Sequence, residues 1–242
     1  MCDMASFVVT KNKVFWLPDN DSHEEIIKYY NLHEGAGRVN FVRVEIVPEN
    51  YNYRLPYDQW KFKLDQDQIP DWYDKEEVEK RCRIELPEWY EVHVIKFGEH
   101  KLFGVIYKII LGGKVEITEQ AGGECYFYND SKGKVTKQIG GYCYFYNNSK
   151  GTITEQADGE CYFCNNSKGK VTEQIDGSCY FYNNSKGTIT EQIGGHCWFY
   201  DNSKGIITKQ AGGYCYFYND SKGKVTEQAG GYCRFFNDSI QL

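Results

Sequence analysis

The chain of 242 residues carries 28 basic and 34 acidic side chains, a net charge of −6, and 41% of its residues are hydrophobic. Aromatic residues make up 17% of the chain, too high a fraction for a disordered protein. No apolar run reaches the length of a membrane span, and the acidic balance argues against a general nucleic-acid binder. The length predicts one or two folded domains.

The first residues, Met-Cys-Asp-Met-Ala-Ser, lack the basic and apolar regions of a signal peptide. We therefore expect a protein that is not exported and that stays in the cytoplasm. Because the cytoplasm keeps thiols reduced, the ten cysteines are expected to be free.

Residues 1–112 have a mixed composition without repeats and predict a small α+β domain. Ser22 and Glu25 form a capping box for a helix to about Tyr30, and a second helix runs from Asp74 to about Ile84. Runs of β-branched and alternating residues predict strands at 5–10, 14–17, 39–47 and 60–64. A further extended segment at 101–111 leads into the remainder of the chain.

Residues 113–242 repeat every 18 positions, and such a period determines the architecture. In the unit that begins at Cys143, the recurring residues are Cys143, Phe145, Ser149, Gly151 and Ile153. Cysteine, phenylalanine and serine return in every unit, and isoleucine alternates only with valine. This constancy within one chain indicates a shared packing environment.

Strand parity assigns these residues to two faces. Cys143 and Phe145 share the inner face of a short strand at 142–146, and Tyr144 and Tyr146 share the outer face. Asn-Asn-Ser-Lys-Gly forms a turn to a second strand at 151–155. By the same parity, the Ala or Ile column that includes Ala157 is expected inside.

Two short strands cannot bury a core alone, but stacking copies about 4.8 Å apart pairs every strand and builds one continuous interior. The fold class is therefore mainly β: a β-solenoid of about seven coils with ladders of Phe, Cys and Asn. Eighteen residues suit either a three-sided left-handed coil or a flattened two-sided coil, and both stay open.

A row of β-hairpins is the rival arrangement. The segment 142–154, Tyr-Cys-Tyr-Phe-Tyr-Asn-Asn-Ser-Lys-Gly-Thr-Ile-Thr, resembles the choline- and glucan-binding repeats of bacterial surface proteins. Those repeats carry tryptophans, which the repeats of this chain lack except at Trp198. The resemblance implies consecutive hairpins and binding of carbohydrate.

The N-terminal part is similar to a short domain of uncharacterised bacterial and phage-encoded proteins that precedes solenoid-type repeats. The resemblance rests on Lys-Val-Phe-Trp at 13–16, Asp-Ser-His-Glu-Glu-Ile-Ile at 21–27, Phe-Val-Arg-Val-Glu-Ile at 41–46 and Asp-Gln-Asp-Gln-Ile-Pro-Asp-Trp-Tyr-Asp at 65–74. It implies a phage or mobile-element origin, with a location in the bacterial host cell or the virion, but no known activity.

Both ends of a solenoid expose strand edges. We expect the N-terminal domain to cap the first coil. The repeat stops within a unit at 237–242, which predicts a homo-oligomer formed through the C-terminal end.

The outward aromatic residues are the candidate binding surface. They form two columns, one of Tyr126, Tyr144, Tyr162, Tyr180, Trp198 and Tyr216 and one of Tyr128, Tyr146, Tyr182, Tyr200 and Tyr218. Such a strip suits contact with protein, sugar or single-stranded nucleic acid. Residues 113–242 contain 13 basic and 14 acidic side chains, so the basic track that nucleic acid requires is missing.

No catalytic residue, cofactor site or metal site is expected. His23 is interpreted as a residue of the first helical turn with favourable acidic neighbours. An EF-hand starting at Asp65 would place Pro70 where the loop requires glycine, which excludes it. The periodic cysteines are interpreted as small core residues, whereas Cys164 replaces an outward tyrosine and is expected to be a partly exposed thiol.

The sequence thus predicts a non-enzymatic protein whose rigid aromatic solenoid face binds a protein partner, either a host-defence factor that it inhibits or a virion component. A carbohydrate-binding surface module is one alternative. An enzyme with its site in residues 1–112 is the other.

Overall fold

The computed structural model describes residues 5–32, 39–102 and 107–242, so Cys2 and His33 lie outside the described residues. The chain divides into two compact units, Met1–Val94 and Ile95–Leu242. The second unit starts about one repeat length before the repeat becomes visible in the sequence at Gly113.

The first unit contains a four-stranded antiparallel sheet in the order β2-β1-β3-β4. Its strands are β1 (Ser6–Thr10), β2 (Val14–Phe15), β3 (Phe41–Val47) and β4 (Lys61–Leu64). Its helices are α1 (His23–Tyr29) and α2 (Lys75–His93), with 3-10 turns at Glu49–Tyr51 and Tyr57–Gln59.

Both helices begin at the predicted residues, but two details of the prediction are wrong. The Ser22 side chain makes no capping hydrogen bond. The second helix does not end near Ile84, because a buried stripe that includes Cys82, Leu86 and Trp89 continues at helical spacing past Pro87 to His93. Packing of this stripe outweighs the hydrogen bond that Pro87 removes.

The second unit is a parallel β-solenoid of about eight turns. Two long strands, β5 (Val94–Leu102) and β6 (Tyr107–Gln120), precede two series of strands. The short series is β7 (Glu124–Phe127), β9 (Tyr142–Phe145), β11 (Glu160–Phe163), β13 (Ser178–Phe181), β15 (His196–Phe199), β17 (Tyr214–Phe217) and β19 (Tyr232–Phe235). The second series is β8 (Lys132–Gln138), β10 (Lys150–Gln156), β12 (Lys168–Gln174), β14 (Lys186–Gln192), β16 (Lys204–Gln210), β18 (Lys222–Gln228) and β20 (Ile240–Gln241).

Each coil contributes two strands, and each strand pairs in parallel with the strand 18 residues away: Cys143 faces Cys161, and Ile153 faces Val171. Parallel pairing between coils contradicts the hairpin arrangement, which is wrong. The additional first turn begins at Ile95 without the repeat's residues. It joins the stack through hydrogen bonds from Thr118 Oγ1 to His100 O and from Ala121 N to Leu102 O.

The predicted interior is confirmed. Cys143, Phe145 and Ile153 are fully buried, as are their counterparts through Cys215 and Phe217. Neighbouring phenyl rings stack with centroids 4.3–4.9 Å apart. A Cβ placed on Gly151 would lie 2.5 Å from the Phe145 ring, so the recurring glycine makes room for the phenyl ladder.

The Ala or Ile column is not inside as predicted: Ile139, Ile175 and Ile193 are at least 40% exposed. The alternation of inward and outward side chains is interrupted in the second series of strands. In β10, for example, the consecutive residues Thr154 and Glu155 are both only partly buried. The next inward residue is therefore glutamine, and Gln156 and its equivalents from Gln120 to Gln210 are completely buried.

The buried glutamines are stabilised by bonds between coils. Gln156 Nε2 donates to the carbonyls of Gly159 and Ser178, at 3.1 and 3.2 Å. Gln156 Oε1 accepts from Cys179 Sγ of the next coil at 3.0 Å. Both ends of the amide are thus satisfied, which offsets the cost of burying it.

The turns also stack in register. Asn147 and Asn148 both adopt positive φ, a conformation that asparagine tolerates. Asn147 Nδ2 donates to Asn129 Oδ1, and Asn165 Nδ2 to Asn147 Oδ1, both at 3.2 Å. The predicted asparagine ladder is therefore confirmed. Within the described ranges, no helix combines the length and apolar composition needed to span a membrane.

Candidate functional site

The aromatic face is the outer surface of the sheet formed by the short strands β7 to β19. Its first column holds the six predicted residues Tyr126, Tyr144, Tyr162, Tyr180, Trp198 and Tyr216, all partly exposed. Ring centroids lie 4.4–6.4 Å apart and the planes are within 26° of parallel. Each ring therefore covers its neighbours' faces and turns its edge to solvent.

The second column is interrupted once. Tyr128 and Tyr146 stack at 5.5 Å, and Tyr182, Tyr200 and Tyr218 stack at 5.0 and 5.1 Å. Cys164 occupies the intervening position. Adjacent rings of the two columns lie 6.0–6.4 Å apart, so the columns form one continuous surface.

Sequence reasoning missed a third column and one end of the second. Phe236 stacks on Tyr218 at 4.7 Å and extends the second column. His196, Tyr214 and Tyr232 stack at 5.1 and 5.5 Å beside the first column. Their parity matches that of the predicted tyrosines, but Glu124, Glu160 and Ser178 at equivalent positions hide the pattern.

The aromatic face is held by the ladder beneath it. Tyr144 pairs in register with Tyr162, as do Cys143 with Cys161 and Phe145 with Phe163. Outer rings are therefore fixed at the spacing of the inner ones. A flat surface whose side chains are already ordered loses little conformational entropy on binding a partner.

Burial keeps several phenols of the aromatic face neutral. Burial raises the pKa of Tyr146 and of Tyr182 to about 12. Burial and the hydrogen bond donated to Glu124 raise the pKa of Tyr126 further. These three phenols therefore remain protonated at neutral pH.

Ion pairs lie instead on the second series of strands. Lys137 Nζ is 3.0 Å from a Glu155 carboxylate oxygen, and Lys209 Nζ is 2.6 Å from Glu191. A column of exposed or partly exposed lysines follows the turn, at Lys132, Lys150, Lys168, Lys186, Lys204 and Lys222. Charged side chains are therefore fewer on the aromatic face, which carries Glu124, Glu160 and Arg234, than on the second series of strands.

Among the nine described cysteines, all free, only Cys164 and Cys233 are partly exposed. The partial exposure predicted for Cys164 is therefore confirmed. Burial raises the pKa of Cys164 to about 11 and that of Cys233 to about 12. The inner thiols are fully buried, and burial raises the pKa of Cys125, Cys143, Cys161 and Cys197 well above the usual value.

We expect maleimide to label Cys164 first and Cys233 next, in a Cys2→Ser background, while the inner cysteines react only after unfolding. Because the thiolate is the nucleophile and the Cys164 pKa lies near 11, the labelling rate should rise about tenfold per pH unit above neutrality. Peptide mapping by mass spectrometry measures the order. Labelling of Cys143 in the native protein at the rate of Cys164 would contradict it.

Comparison with protein-family models, with curated proteins and with solved structures gives no significant match.

Proposed function

We propose that this chain is a non-enzymatic binding protein whose aromatic face docks on a protein partner. The observation that carries the proposal is the orientation of the rings: within each column their faces are covered by one another, and their edges stay partly exposed. Sugars and bases stack on exposed ring faces, which this arrangement lacks within each column. Tyrosine edges and hydroxyls suit a protein surface, where tyrosine and tryptophan are enriched at interfaces.

Electrostatics supports the same partner class. The face is mainly aromatic, with Glu124, Glu160 and Arg234 as its charged residues, and residues 113–242 carry a net charge of −1, so a polyanion gains nothing by long-range attraction. The resemblance of the N-terminal part to phage-encoded proteins supports a partner in a bacterial host, either a defence factor that is inhibited or a virion component, and a cytoplasmic or virion location.

The last coil supports self-association as a second form of protein binding. In this coil the Tyr232 side chain is 57% exposed and the Leu242 side chain 62%. Cys233 and Phe235 are partly exposed, whereas the equivalent residues of the preceding coils are fully buried. We expect end-to-end homo-oligomers through β19 and β20. A single monomeric species in sedimentation velocity would contradict this arrangement.

The test of the aromatic face compares two triple variants made in the same three coils. Tyr144→Ala, Tyr180→Ala and Tyr216→Ala remove three rings of the first column. The matched control changes outward residues of the second series of strands, with Thr154→Ala, Thr190→Ala and Thr226→Ala. Circular dichroism first establishes that both variants keep the β-sheet signal.

Tagged proteins are then used for affinity purification from a bacterial host, followed by mass spectrometry, and for a glycan array. We expect a protein that the wild type and the threonine variant retain and the tyrosine variant loses. A partner retained equally by all three proteins would contradict the role of the aromatic face. Glycan binding that depends on the three tyrosines would overturn the partner class in favour of carbohydrate.

A further inference from the structure

Three elements of the first unit bring a histidine and two carboxylates together. His23 is the first residue of α1, Glu45 lies in β3, and Asp65 follows directly after β4. One ligand atom from each side chain lies within 4.8 Å of the other two. His23 Nδ1 is 3.2 Å from Asp65 Oδ2. The antiparallel register that pairs Glu45 with Lys63 brings Asp65 to this position.

The imidazole is oriented in the way that metal-binding histidines are. His23 Nε2 is 3.0 Å from the carbonyl oxygen of Val44, which can only accept, so Nε2 carries the proton. Nδ1 lies 3.2 Å from Asp65 Oδ2, a contact that a proton shared between the two atoms makes favourable in the metal-free protein, and a bound cation would replace that proton. A backbone carbonyl that fixes the tautomer and the ring is the usual second partner of a histidine ligand.

Burial and exposure are divided within the cluster. His23 is 2% exposed and Glu45 1%, whereas the Asp65 side chain is 40% exposed. Two ligands are therefore held by the packed sheet and helix, and the third lies on the solvent side. An ion could therefore enter from the side of Asp65, whose exposed side chain can move, while His23 and Glu45 stay in place.

The cationic neighbours of the cluster are Lys63 and Arg43. Lys63 Nζ lies 3.0 Å from Glu45 Oε2, but the Lys63 side chain is 49% exposed and can move into solvent. Arg43 lies on β3 beside Glu45 and packs against the Phe41 ring. A bound cation would therefore compete with Lys63 for one carboxylate oxygen of Glu45.

We propose that His23, Glu45 and Asp65 bind one Zn²⁺ ion. A nitrogen donor with two carboxylates suits zinc, whereas calcium and magnesium prefer oxygen ligands alone. Three protein ligands leave one position of a tetrahedral ion open, on the side of the exposed Asp65. Ligand atoms around tetrahedral zinc lie about 3.3 Å apart. His23 Nδ1 and Asp65 Oδ2 already have this spacing, at 3.2 Å, so closure requires only that the Glu45 carboxylate and this pair approach each other from at most 4.8 Å.

The experiment uses the full chain after removal of metal with a chelator. Zn²⁺ binding is measured by isothermal titration calorimetry, and Co²⁺ serves as a spectroscopic probe because thiolate ligands add intense near-ultraviolet absorption that imidazole and carboxylate ligands lack. The optical spectrum therefore separates this cluster from the cysteines. Asp65→Asn removes the most exposed ligand, and Asp67→Asn, two positions on, is the matched control.

We expect one saturable Zn²⁺ site per chain and a Co²⁺ spectrum without thiolate absorption. Asp65→Asn should weaken Zn²⁺ at least about tenfold, and Asp67→Asn should leave its affinity unchanged. Lys63→Met should tighten Zn²⁺, because it removes the competing ammonium group. The absence of saturable Zn²⁺ binding, a thiolate spectrum, or equal affinities for Asp65→Asn and the wild type would each overturn the proposal.

Discussion

Replacing Phe181 with alanine is expected to lower the free energy of unfolding of the solenoid by about 3–5 kcal/mol. The Phe181 ring is fully buried and stacks between Phe163 and Phe199, at 4.9 and 4.7 Å. These neighbours cannot fill the space, because their strands are fixed in register, and Gly187 opposite has no side chain to move in. A cavity therefore remains.

Urea denaturation followed by circular dichroism measures the loss, with Tyr182→Ala as the control. Tyr182 is the next residue of the chain, but it faces outward and is partly exposed. Its stacking contact is worth about 1 kcal/mol. If the two substitutions lowered stability equally, the distinction between inner and outer columns would be wrong.

Replacing Gly177 with alanine is the second large effect that we expect, a loss of at least about 2 kcal/mol. Gly177 has a φ of +77°, and a Cβ there would lie 2.4 Å from the carbonyl oxygen of Gly159 in the preceding coil. The clash is with backbone that is itself held in the stack, so the coils cannot relax without losing their pairing.

Asp176→Ala is the control for this turn. The exposed Asp176 carboxylate only accepts a hydrogen bond from Gly177 N at 2.9 Å, so its loss should cost about 1 kcal/mol or less. Thermal and urea denaturation of both variants measure the difference. A Gly177→Ala protein as stable as Asp176→Ala would show that the turns are not stacked as described.

The solenoid was predictable because every 18-residue unit repeats the same packing requirement, so each column of the sequence reports one position in the core. The burial of Gln156 was not predicted. Strand parity assumes that side chains alternate strictly between the two faces, and the consecutive outward residues Thr154 and Glu155 break that alternation. A buried amide also requires partners in two other coils, and spacing within one unit does not reveal them.

The remaining features depend on contacts between segments that are far apart in the sequence, which the sequence pattern does not reveal. The first-turn position of His23 was evident, but its proximity to Glu45 and Asp65 depends on how α1 packs on β3 and on the register of β3 with β4. The length of α2 depended on a buried stripe that outweighs Pro87. Of the aromatic face, the two mainly aromatic columns were predictable, and the third was not because glutamate and serine interrupt it.

Cross-linking of exposed positions tests the stacking of coils most directly. In a Cys2→Ser, Cys164→Ser background, Lys150→Cys with Lys168→Cys places two thiols in register on adjacent strands, within the Cα separation that a disulfide spans. Lys150→Cys with Lys186→Cys places them two strands apart, too far to bridge. Under mild oxidation we predict that the first pair forms an intramolecular disulfide and the second does not. Equal cross-linking of both pairs, or none in the first, would contradict the shared interior on which this account rests.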